Sequence, residues 1–217
     1  MISLARCGEE DAGKVEELER LIFKPSEQYT MSFIAWLCRS CSRFSFIAYD
    51  DGRPVGYIIS CVDAPGQGHV VAVGLLREYR GRGLGRQLMC ASMCSLSNVE
   101  RLVLEVRVSN EVAQSLYRSL GFHVADQLKS YYSDGEDAYY MVMEDEARRR
   151  ALKACGCGEE GGLEGLGKGK DGGKEGSRVG SKEGRSWWRR GAREERGGED
   201  EWEGEGDEGE GGVGRNI

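Results

Sequence analysis

The sequence predicts an α/β (α+β) fold, a central mixed and twisted sheet, antiparallel and then parallel, flanked by helices. Three observations carry that expectation. Apolar residues switch between strand-like runs and helical spacing in the order β α α β β β α β α β β. A turn signal, Asp50-Asp51-Gly52-Arg53-Pro54, joins two β-rich runs as an antiparallel hairpin. Farther on, a strand, a glycine-rich turn, a helix and a strand follow one another, which calls for parallel or mixed neighbours covered by helices. Residues 1–150 hold nearly all the aliphatic and aromatic side chains, enough for one domain with a real core.

The elements follow in order. Ile2-Ser3-Leu4-Ala5 reads as a short first strand. Glu9 to Phe23 is helical, with Val15, Leu18, Leu21 and Ile22 as its apolar face and Asp11 as its cap. Lys24-Pro25-Ser26 breaks it, because proline lacks an N–H and clashes with the preceding turn. Tyr29 to Arg39 is a second helix carrying Phe33, Ile34, Trp36 and Leu37. Phe44–Tyr49 and Val55–Val62 are the hairpin strands, and His69–Leu76 is the next strand, after the loop Ala64–Gly68. A helix runs to about Leu96, then a strand over Leu102–Val106 and a helix over Asn110–Leu120, stopped by Gly121. Phe122-His123-Val124 starts another strand, and Ala138–Met143 is the last.

The stretch that draws the chain together is Arg80-Gly81-Arg82-Gly83-Leu84-Gly85-Arg86, placed between a strand and a helix. Its glycines remove the Cβ atoms that would keep a ligand from the backbone. The first helical turn leaves N–H groups without intrahelical partners, and the helix dipole is positive there. Three arginines add charge. A pyrophosphate is the expected occupant.

The net charge is −7, and 11 Lys and Arg against 16 Asp and Glu from Cys155 onward account for −5 of it. The near-neutral remainder argues against specific DNA binding. No secretory signal and no membrane-length apolar run are present, so a cytoplasmic protein is expected. Of the eight cysteines, Cys38-x-x-Cys41 is the single CxxC pair in the domain, which does not make a zinc site. No metal is expected. The cysteines read as buried thiols, with disulfides as the alternative for a chain from a hyperthermophile. Residues 151–217 read as a disordered tail rich in Gly, Glu and Arg. Trp187-Trp188-Arg189-Arg190 within it could contact RNA or the ribosome; a solubilising tail or a mis-called stop codon is the plainer reading.

Several motifs together resemble the GNAT acetyltransferases. Arg80-x-x-Gly83-x-Gly85 matches their Arg/Gln-x-x-Gly-x-Gly/Ala signature, and Asn110-x-x-Ala113-x-x-x-Tyr117-x-x-x-Gly121-Phe122 their second stretch. Tyr131-Tyr132-Ser133-Asp134-Gly135-Glu136-Asp137-Ala138-Tyr139 is similar to a segment of protein N-terminal acetyltransferases. Leu104-Glu105-Val106-Arg107-Val108-Ser109-Asn110 and Gly68-His69-Val70-Val71 resemble the archaeal relatives of the NatA catalytic subunit, of the Ard/RimI type.

The resemblance covers about residues 1–145 and implies a GNAT fold that transfers an acetyl group from acetyl-CoA to the α-amine of protein N-termini. It implies that the pyrophosphate rests on Arg80, Gly81, Arg82, Gly83, Leu84, Gly85 and Arg86, with pantetheine along Val73, Gly74 and Leu75 and Asn110 and Tyr117 beside the cofactor. Glu105 and His69 take the amine's proton and Tyr117 returns one to the leaving thiolate. Glu27 and Tyr29, in a turn one residue longer than the family's, and Tyr132 and Tyr139 are the peptide-binding candidates. Nascent chains, with a ribosome contact, are the implied partners, and a monomer fits the domain's size. A GNAT enzyme for lysines or small amines, and a non-catalytic CoA-binding or ribosome-associated module, are the competing readings.

Overall fold

The computed structural model describes residues 1–157 and, as backbone, residues 215–216. Apart from that dipeptide, the tail from residue 158 onward, with its paired tryptophans, lies outside the described residues. The strands are β1 (Ile2–Arg6), β2 (Phe46–Asp50), β3 (Arg53–Ala64), β4 (Gln67–Leu75), β5 (Arg101–Arg107), β6 (His123–Leu128), β7 (Ala138–Glu144) and β8 (Arg215–Asn216). The helices are α1 (Ala12–Ile22), α2 (Met31–Ser40), α3 (Leu84–Ser95), α4 (Glu111–Leu120) and α5 (Asp145–Ala154). The expected order holds through β7; α5 and β8 are additions. The boundary expected at residue 150 falls inside α5.

The strands lie in the order β1-β2-β3-β4-β5-β7-β6, with β8 against β4. Parallel pairing is confined to β4–β5 and β4–β8; every other pair is antiparallel. The α4 crossover carries β6 to the sheet edge, and the β6–β7 hairpin then folds β7 back between β5 and β6.

Two irregularities shape the sheet. β4 pairs with β5 only from Gln67 to His69, against Arg101 to Val103, and then parts from it. The β3–β4 register also slips between Ile59 and Ser60, leaving one extra residue in β4. Cys61 faces His69, while Ile59 faces Ala72 and Tyr57 faces Gly74. Strict alternation would put His69 and Gly74 on opposite faces. The bulge brings them to the same one.

Helix α1 packs Val15 and Leu18 into the core, but the next inward position is Glu19, and Leu21 is exposed. The buried Glu19 carboxylate accepts the Tyr57 hydroxyl and the Tyr29 backbone N–H at 3.0 Å. It ties α1 to the sheet and to the segment entering α2.

The reading of the cysteines as thiols needs correction. Cys41–Cys61, Cys90–Cys155 and Cys94–Cys157 are disulfides; Cys7 and Cys38 are free and buried. The last two bridges join α3 to the turn that ends α5. Their pairing depends on tertiary proximity, which spacing does not reveal.

Glu19→Ala is expected to destabilise the fold by about 2–4 kcal/mol, because it strands two buried donors. Urea unfolding measures this, and Glu19→Gln, which keeps an acceptor, should lose less.

Candidate active site

Where β4 leaves β5, three polar side chains meet inside the sheet. His69 Nε2 lies 2.8 Å from Glu105 Oε2, and His69 Nδ1 lies 3.0 Å from Asp63 Oδ2. All three residues are buried. An imidazole with a carboxylate at each nitrogen satisfies both only when both nitrogens carry a proton. Burial opposes that charge, but Glu105 and Asp63 outweigh it and raise the His69 pKa to about 9. Burial likewise pushes the Asp63 carboxyl up, yet the bond and charge of His69, with help from Gln67, hold it below the usual range. Gln67 Nε2 donates to Asp63 at 2.9 Å and its Oε1 accepts from Arg101 Nε at 2.7 Å.

The sequence reading places Glu105 and His69 here but misses Asp63 and Gln67. The signal for Asp63 exists: Tyr57, Ile59 and Cys61 alternate inward along β3, and Asp63 takes the next inward position. His69, by contrast, enters as a base, whereas the geometry makes it an imidazolium. Glu105 is the group left to receive a proton.

Beside Glu105 stand buried phenols. The hydroxyls of Tyr117 and Tyr132 are buried with no hydrogen-bond partner in the protein. Burial holds both phenols well above their ordinary pKa, so both are protonated at neutral pH. A buried donor left without an acceptor points to a ligand atom. The Tyr132 ring lies under the Arg107 guanidinium, 3.9 Å from Cζ to centroid. Arg107 also grips Glu27 at 2.6 Å, Glu136 at 2.8 Å and Asp134 at 2.9 Å. Its charge holds the Asp134 carboxyl below the usual range. Glu27 is therefore a partner of Arg107 across the mouth of the site. The sequence gives Arg107 no such role, since Glu27 is eighty residues away.

The remaining candidates divide. The Tyr29 backbone is held by Glu19 near this mouth. Tyr139 is opposite Val106, whereas Tyr140 is opposite Glu105. Cross-strand partners share a face, so Tyr139 turns away from Glu105 and the structure does not bring it to the cluster.

The glycine turn opens α3 as the sequence expects. Gly81 and Gly83 have φ of 72° and 78°, the left-handed region, and Gly83 is the N-cap. No side chain caps this helix, so its first N–H groups face an acceptor from outside. Leu84 and Gly85 are buried, while Arg80, Arg82 and Arg86 are exposed and locally tethered. Arg80 Nε donates to Leu75 O at 3.1 Å, Arg82 lies over Tyr79, and Arg86 donates to Ser119 Oγ at 3.1 Å. Asn110 caps α4, its Oδ1 accepting from the Ala113 N–H at 3.1 Å. Val73, Gly74 and Leu75 lie on β4 beyond its parting from β5. The backbone of Arg215–Asn216 pairs along this edge at Ala72 and Val73, so the edge takes main-chain partners.

A backbone edge, an uncapped helix N-terminus and a buried acid–base cluster thus meet at one cleft. The Acetyltransferase (GNAT) family model matches residues 13–122. The chain belongs to the GNAT acetyltransferase family. An N-alpha-acetyltransferase of Sulfurisphaera tokodaii is 36% identical over 146 residues, 61% of this chain and 86% of the relative. The ribosomal-protein-S18-alanine N-acetyltransferase from Escherichia coli is similar in structure, with a TM-score of 0.60 and 26% identity over 66% of this chain and 94% of that one. Ard1 from Thermoplasma volcanium gives a TM-score of 0.61 and 25% identity over 66% and 97%. Among the described residues of this GNAT chain, no helix is long and apolar enough to cross a membrane, and no group of three or more His, Cys, Asp or Glu is arranged for a metal.

Because the His69 pKa is raised from 6.5 to about 9, its contribution to stability is complete below pH 6.5 and is lost as pH rises through 9. Urea midpoints of the wild type should fall over that window, and those of His69→Gln should fall less. Ending the chain at Cys157 removes the dipeptide from the β4 edge. Calorimetry should then show tighter binding of CoA; unchanged affinity would mean that the dipeptide does not compete there.

Proposed function

We propose that this chain transfers the acetyl group of acetyl-CoA to the α-amine of protein N-termini, with Glu105 as the proton acceptor and Tyr117 as the proton donor. The observation that carries the reading is the buried Asp63–His69–Glu105 cluster beside unpartnered phenols, where β4 and β5 part. Relatives with N-alpha-acetyltransferase activity in their names support it.

Acetyl-CoA supplies a thioester whose carbonyl carbon is open to an amine. The α3 N-terminus, with Gly81 to Arg86, holds the pyrophosphate, and Val73 to Leu75 offer main-chain groups to the pantetheine amides. A free α-amine has a pKa of about 7.7–8.0, against about 10.4 for lysine, so more of it is neutral near pH 7. Glu105 takes the proton that the amine loses as the C–N bond forms. His69, positive between two carboxylates, holds Glu105 in place and keeps it ionised. Tyr117 delivers its proton to the sulfur as the C–S bond breaks, and a β4 N–H near Val73 faces the carbonyl oxygen. Tyr132, Tyr29 and the Glu27–Arg107 pair line the side from which the peptide enters. The enzyme requires no metal, acts as a monomer in the cytoplasm, and meets protein or nascent N-termini there, with the ribosome as one source.

Glu105→Gln and Tyr117→Phe should each lower kcat by about 10²–10⁴-fold while leaving CoA affinity near that of the wild type. Peptides differing only in a free or blocked α-amine, each with an internal lysine, decide the acceptor by mass spectrometry. Acetylation of the blocked peptide at wild-type rates would reassign the enzyme to lysines.

A further inference from the structure

The chain has eight cysteines, and the three disulfides use six. The remaining two are not strangers. Cys7 follows β1, its backbone N–H held by Ser45 O at 2.9 Å. Cys38 lies in the last turn of α2. Both are fully buried, and their sulfurs are 3.3 Å apart. A disulfide needs about 2.0 Å, so closure asks for a movement of about 1.3 Å. Each of the eight cysteines thus has one partner at hand. The Cys38-x-x-Cys41 motif also finds its meaning: its sulfurs face separate partners, Cys7 and Cys61.

We propose that Cys7 and Cys38 form a fourth disulfide, so that the mature protein is a four-bridge framework built for oxidising conditions. The bridge forms by exchange with a low-molecular-weight disulfide. Two thiols lose two protons and two electrons, one S–S bond forms, and the small disulfide is cleaved to two thiols. Burial and the neighbouring Cys38 push the Cys7 thiol up, and Asp11 and Glu10 add to this, so exchange belongs to folding or to transient opening. The four bridges join β1 to α2, α2's end to β3, and α3 twice to the turn after α5. One reaches the site: Cys61 is the direct cross-strand neighbour of His69.

The test uses the full chain, refolded in a mixture of oxidised and reduced glutathione, then unfolded in acid and alkylated without reductant. The expected result is no alkylation, an intact mass about 8 Da below that of the fully reduced chain, and a Cys7–Cys38 cross-linked peptide in a non-reduced digest. Alkylation at Cys7 and Cys38 while the other three bridges hold would overturn the fourth bridge. Alkylation at all eight would overturn the framework. A Cys7→Ala/Cys38→Ala variant provides a second readout. Its loss in Tm relative to the wild type should be larger without dithiothreitol than with it. An equal loss in both conditions would mean that the two thiols only pack together, and would overturn the proposal.

Discussion

The parting of β4 from β5 after three paired residues is the constraint on which this structure depends. Inside a sheet, such a gap leaves main-chain donors and acceptors without partners, which a core does not tolerate. The fold answers in two ways. At the narrow end, the gap is closed by side chains, His69 reaching across to Glu105. At the wide end, the edge stays available to an outside backbone, and the glycine turn that follows β4 puts an uncapped helix start beside it. Donor site and acid–base cluster are thus two ends of one defect in hydrogen bonding.

Burying three ionisable groups is costly unless each charge is met. The Asp63–His69–Glu105 row meets that condition by alternating signs, and Gln67 and Arg101 extend it outward. Removing any member leaves a neighbour's charge unmatched, so the row is an all-or-nothing arrangement. The β4 bulge makes it compatible with the rest of the face, since without it His69 and Gly74 would point to opposite layers.

Much of this was readable from the chain. Periodicity and turn residues place eleven elements because each has one apolar face or two. Helix α5 escapes that reading: its first turns, Asp145-Glu146-Ala147-Arg148-Arg149-Arg150, are mostly charged. The glycine turn is legible because left-handed backbone demands glycine at Gly81 and Gly83. Glu105 and His69 are legible as polar residues in apolar strands, and Asp63 would have been by the same test. The protonation of His69 is not, because it follows from having a carboxylate at both nitrogens. Nor is the exclusion of Tyr139, which depends on strand register, or the partnership of Glu27 with Arg107, which depends on how two distant loops approach.

That last partnership bears on how an acceptor peptide is received. Arg107 holds the segment before α2, through Glu27, and the β6–β7 loop, through Asp134, Glu136 and Tyr132. The loops are joined before any peptide arrives, and Ser133 reinforces the join by donating to Ser26 O at 3.3 Å. Ordering two loops on encounter would subtract their lost conformational freedom from the binding free energy. Here that freedom is given up during folding. Short peptides, which offer little surface, can therefore be bound through their first residues alone.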